Sequence, residues 1–180
     1  MCAPMHSRLL PSIAAFAVLA VAPALAAPKH GGTSAAAKPP AAPMPKELGR
    51  FDDWTAASYE TNGQTVCYAF TRAKEAAPAS GSSAGPLLTV TERSSSRDEV
   101  AITATTSYAK DATVTLQVGQ TGLDFYTVGR DAFARDGKAA AAAMRRGDQA
   151  IIHGHSNTDT YSLKGFTQAY DLIVKTCPAH

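Results

Sequence analysis

Residues 51–71 read FDDWTAASYETNGQTVCYAFT. Asn62-Gly63 sits between two strand-like runs, and both residues tolerate the positive φ angles of a two-residue hairpin turn. Phe51-Asp52-Asp53-Trp54-Thr55 leads into Ala56-Ala57-Ser58-Tyr59, the expected first strand. Thr65 to Thr71 is the expected second. Order is expected to begin near Phe51.

The same grammar continues downstream. Residues 73–86 are rich in Ala, Ser, Gly and Pro and read as a loop. Leu87-Leu88-Thr89-Val90-Thr91 resumes a strand, and Ser94-Ser95-Ser96 makes a turn. Val100 to Thr106 follows, with Val100, Ile102 and Ala104 on one face by the two-residue period. Thr113-Val114-Thr115-Leu116-Gln117-Val118 alternates more cleanly still. Gly119 and Gly122 punctuate a hairpin into Leu123 to Val128, and Gln149 to His155 is a further strand. Two segments read as helices. Asp136 can cap Lys138 to Arg146, with Gly147 as the stop. The second runs from about Leu163 to Thr176 with Ser162 as its cap. Leu163, Phe166, Tyr170, Ile173 and Cys177 fall near one face. Seven or eight short strands and two helices predict a mainly β, β-rich α+β fold. The expected form is a single antiparallel sandwich or half-barrel-like domain, residues 50–180, with the helices packed on it.

The N-terminus has a different character. His6 and Arg8 precede an apolar run from Leu9 to Val21, then Pro23 and Ala24-Leu25-Ala26. This is the pattern of a secretory signal peptide, residues 1–26. The run is shorter than the roughly 20 residues a spanning helix needs. The mature product is therefore expected not to span a membrane. Residues 27–49 carry Pro28, Pro39, Pro40, Pro43 and Pro45 among Ala, Gly and Lys. Such a segment buries too little apolar surface to offset its chain entropy, so it reads as a disordered tether.

Export changes how cysteine is read. Cys2 leaves with the signal, and Cys67 and Cys177 remain. In an oxidising compartment such a pair reads first as a disulfide, here tying the last helix to the sheet. A closed loop of about 100 residues contributes roughly 4–5 kcal/mol in the chain-entropy picture. A reactive thiol needs a basic neighbour, and none stands near Cys67 in sequence.

Charge excludes one class of partner. Beyond residue 49 there are 13 Lys and Arg against 14 Asp and Glu, well scattered. A protein that neutralises phosphates needs a basic surplus, so no nucleic-acid partner is expected. No cofactor motif is present. His153-Gly154-His155 is the sharpest chemical feature. On a strand, both imidazoles point one way, and Asp159 could join them as a metal or catalytic site. Two His and one carboxylate leave that set incomplete, so a polar strand face is preferred. Ser156 to Ser162 is dense in hydroxyls but has no GxSxG elbow; turns and caps are the expected use. Asp52-Asp53 are adjacent and should point apart. Trp54 reads as a core anchor.

A wider resemblance rests on Trp54, Tyr59, Val66-Cys67-Tyr68-Ala69, the run from Asp159-Thr160-Tyr161-Ser162-Leu163-Lys164-Gly165-Phe166 to Tyr170, and Cys177-Pro178. Across residues 51–178 their order and spacing resemble the invasion-associated locus B family. The resemblance implies a small exported envelope protein of proteobacteria, with a founding member tied to host-cell entry. It implies no enzyme activity, cofactor or catalytic residues. The family's longer Gly/Arg-rich turn before the Asp159 segment is here cut to His155-Ser156-Asn157-Thr158. The expected function is a non-enzymatic periplasmic module for binding or structural support, with an unknown envelope protein or ligand as partner. The alternatives are a metal-binding protein or small enzyme using His153, His155 and Asp159, and a secreted effector.

Overall fold

The computed structural model describes residues 44–77, 85–154 and 157–179. The signal segment and residues 27–43 of the tether lie outside them. The described residues form eleven strands in one antiparallel sheet, curled into a half-barrel, with two helices. The strands are β1 (Lys46–Phe51), β2 (Trp54–Thr61), β3 (Gln64–Arg72), β4 (Glu75–Ala77), β5 (Leu87–Glu92), β6 (Glu99–Thr103), β7 (Val114–Val118), β8 (Thr121–Val128), β9 (Asp131–Ala134), β10 (Gln149–His153) and β11 (Thr158–Ser162). The helices are α1 (Gly137–Met144) and α2 (Phe166–Thr176).

The Asn62-Gly63 hairpin forms as read, with both residues at positive φ. Order starts earlier than Phe51. Lys46 to Phe51 pairs with β2 from Lys46↔Ser58 to Phe51↔Trp54, with an irregularity between Glu47 and Gly49. The last residues of the expected tether are thus an edge strand, hidden in sequence by its charges. Asp52-Asp53 is the two-residue turn between β1 and β2, with Asp52 at φ 47°.

Three further strands escaped the periodic reading. The expected loop after residue 73 contains β4. Asp131–Ala134 forms β9, only four residues long. Thr158–Ser162, read as turns and caps, forms β11 instead, because its backbone pairs on one side with β10 and on the other with β4. The strand expected over Val100 to Thr106 stops at Thr103, where the Ala104 N–H turns to Arg130 O at 2.9 Å. The strand expected over Gln149 to His155 likewise stops at His153.

The spatial order is β1-β2-β3-β5-β6-β9-β8-β7-β10-β11-β4. Because β4 follows β3 after only Ala73 and Lys74, the far end of the sheet returns to its own third strand. The Lys74 N–H donates to Thr160 O at 2.8 Å across that junction.

Cross-strand partners share a face. One inner row runs Ala56, Ala69, Val90, Val100, all at most 1 % exposed. Helix α2 lies against β1, β2, β3 and β5, and α1 against β6 to β9. The first helix is capped as read: Asp136 Oδ1 accepts from the Ala139 N–H at 2.9 Å. It ends at Met144 with Arg145 as its cap, short of Arg146. Gly147 serves packing rather than a left-handed stop, since a Cβ there would lie 2.3 Å from Val118 Cγ1.

The second helix starts later than expected. Its cap is Gly165 at φ 89°, and Ser162 instead accepts from the Lys164 N–H at 3.2 Å inside the preceding turn. A Cβ at Gly165 would meet Phe51 O at 1.9 Å, so glycine is demanded by both torsion and space. Phe166, Ala169 and Ile173 form the buried face of α2. Tyr170 stands at its margin.

Candidate functional site

The disulfide joins Cys67 on β3 to Cys177 at the C-terminal end of α2, with α-carbons 5.9 Å apart. That lies within the range disulfide geometry allows. Register fixes what surrounds it. Ser58, Cys67 and Glu92 are successive partners across β2, β3 and β5, so all three project to the same inner face.

Glu92 is the unexpected member, with a side chain fully enclosed. Its Oε1 accepts from the Asp98 N–H at 3.2 Å, and Arg97 Nε stands 2.7 Å from Oε2. Arg97 also donates to Cys177 O, and the Tyr170 hydroxyl donates to Asp98 Oδ1. Burial, only partly offset by Arg97 and reinforced by the Asp98 carboxylate, pushes the Glu92 carboxyl up to about 7. The Tyr170 hydroxyl is raised by burial and by its bond to Asp98. Sequence reading missed this cluster because Glu92 and Asp98 sit beside an ordinary polar turn. The signal present was the two-residue period of Leu88 and Val90, which puts Glu92 on the apolar face.

The structure does not bring His153 and Asp159 together. His155 lies outside the described residues. His153 partners Thr158 while Asp159 partners Ile152, so His153 and Asp159 occupy opposite faces of the sheet. His153 is exposed, whereas Asp159 is 2 % exposed and accepts from Asn157 Nδ2 at 2.8 Å. Burial raises the Asp159 carboxyl. Gly154 permits close packing: a Cβ there would meet Asn157 Oδ1 at 2.1 Å. Among the described residues, no group of three His, Cys, Asp or Glu could hold a metal ion. The buried Tyr161 hydroxyl, two residues along β11 from Asp159, has no hydrogen-bond partner there.

The adjacent acids take different ion-pair partners. Asp53 pairs with Lys74, and Asp52 with Lys164 at 3.2 Å. Lys74 and Ser162 hold the Asp53 carboxyl below its ordinary range. Trp54 is a core anchor: it is fully buried, its Nε1 donates to Ser162 O at 2.9 Å, and its ring lies 4.7 Å from that of Phe166.

The outer face carries a second feature. Thr55, Phe70, Thr89, Ala101, Phe133 and Tyr126 are consecutive partners across six strands. Rings bracket the small residues at the centre of this row. Tyr68 stacks on Phe70 at 5.8 Å, and Tyr126 on Phe133 at 5.5 Å. Tyr126 is 44 % exposed and Val128 60 % exposed. Arg135 lies over the Tyr126 ring, and both line a groove of about 460 Å³ with Asp111 and Asp124. Such a surface can hold another molecule by ring contact and shape.

Among the described residues, no helix is long and apolar enough to cross a membrane. No family model matches the chain, and neither any curated protein nor any solved structure does.

Proposed function

We propose that this is an exported, non-enzymatic protein of the cell envelope, acting in the periplasm as a binding or structural-support module. The observation that carries the reading is the Cys67–Cys177 bond, which spans a sequence separation of 110. Such bonds persist in oxidising compartments and are rare in the cytosol. The signal-like residues 1–26 and the resemblance to the invasion-associated locus B family support the same compartment. The family resemblance also favours contact with an envelope or host component over catalysis. The binding surface in this reading is the outer row around Phe70, Phe133 and Tyr126. Aromatic side chains supply large contact area there at low entropic cost.

Cell fractionation with intact-mass measurement tests the compartment. The expected product is a soluble periplasmic chain beginning at Ala27 with no free thiol. Full-length, reduced protein in the cytoplasm overturns the reading. Recovery mainly in the medium selects the secreted-effector alternative. A photo-crosslinking residue at Tyr126 in intact cells should capture a specific partner, and one at exposed Glu60 should not. A stoichiometric metal on the purified protein, lost on His153→Ala, would return the metal-site alternative.

A further inference from the structure

The turn between β5 and β6 meets three parts of the fold. Asp98, at φ 53°, packs its carbonyl against Gly137 at the start of α1. Its carboxylate accepts from Tyr170 of α2, and its N–H donates to Glu92 of β5. Arg97 in the same turn bridges Glu92 and the carbonyl of Cys177.

The charges facing this point come from every element around it. The turn supplies Arg97 and Asp98. From α2 comes Tyr170. The Arg145 guanidinium, at the end of α1, lies 5.2 Å from the Tyr170 ring centre and pairs with Asp171 at 3.0 Å. From β2 and β3 come Ser58 and the Cys67 disulfide, neither of which titrates in this range. The Arg97 guanidinium pairs with Glu92, while the neighbouring Asp98 carboxylate accepts from Tyr170. With Glu92 ionised, an enclosed negative charge rests on Arg97, which also reaches the Cys177 carbonyl. With Glu92 protonated, that enclosed charge is gone.

We propose that Glu92 is the trigger of a pH-operated latch that fastens α2 to β5, closed when its carboxyl is protonated and loosened when the proton leaves. The geometry carries this: a fully enclosed carboxylate, a second carboxylate bonded to the helix, and one arginine reaching the helix end. The raised Glu92 carboxyl supports it. Its folded value near 7 exceeds its ordinary 4.5, so protonation favours the fastened form. The latch is therefore complete below about pH 4.5. It weakens as pH rises towards 7 and changes little above that.

The test uses the full mature chain. Amide hydrogen exchange is followed at Ala169 and Cys177, corrected for the intrinsic rate. Opening of α2 should rise roughly tenfold per pH unit between pH 5 and 6.5, then level off above 7. Glu92→Gln keeps an oxygen for the Asp98 N–H but cannot ionise, and its opening should be flat over that window. An equal slope in Glu92→Gln, or no slope in the natural chain, overturns the latch. If Glu92→Gln does not fold, carbon-13 titration of the natural protein decides. A Glu92 carboxyl midpoint between 6 and 8 sustains the proposal, and a midpoint below 5 refutes it.

Discussion

Gly165 shows how much one missing methyl can decide. Its φ of 89° lies where side chains are strained, and the Phe51 carbonyl occupies the space of a Cβ. Gly165→Ala must push apart β1 and the start of α2. It should destabilise by about 2 kcal/mol or more in denaturant unfolding. Trp54→Ala leaves a cavity against Phe166 and an unpaired Ser162 carbonyl. A loss of about 3–5 kcal/mol is expected in the same measurement. Trp54 was legible in sequence because a large apolar ring beside a strand start has few uses other than a core. Glu92 was not, because charge conceals burial: only the register with Cys67 reveals that its side chain points inward. Asp159 misled in the same way. Proximity to His153 in sequence suggested a shared site, but the two-residue period of the paired strands sends them to opposite faces.

Among the elements, those with apolar alternation or an unambiguous turn were readable, and those held by tertiary pairing were not. The β7 segment and the Asn62-Gly63 hairpin announce themselves locally. In β11, by contrast, Asp159 and Tyr161 take the inward positions and Thr158, Thr160 and Ser162 the others, so no hydrophobic period exists to be found. Strand β1 is an edge whose Lys46, Glu47 and Arg50 and local irregularity discourage further pairing, the features that make it look like linker. Helix α1 lies at the readable end. Its Asp136 cap bonds the Ala139 N–H, and the helix has only small side chains and Met144 to hold it in place. Asp136→Ala should cost about 1 kcal/mol and raise amide exchange in α1 before it does so in α2.

For the molecule as a whole, the disulfide is the covalent restraint between distant parts of the chain. Cys67→Ser with Cys177→Ser should lower stability by about 2–5 kcal/mol, read as a drop in melting temperature. The loss should appear first as faster amide exchange in α2. Uniform loosening of all eleven strands would show that the bond does not act through that helix. The sheet itself is stitched by pairing between distant segments: β4 at residues 75–77 meets β11 at 158–160, roughly 80 residues later. That closure sets an order of events. As the chain emerges from its N-terminus, the β2–β3 hairpin can form at once, but the strand that completes its rim is made nearly last. Until then β4 presents an unpaired edge, and no local contact can hurry the search for its partner. The nascent protein therefore depends on being kept apart from its neighbours for longer than its small size suggests, and slow, single-step refolding that becomes aggregation-limited at high concentration is its expected kinetic signature.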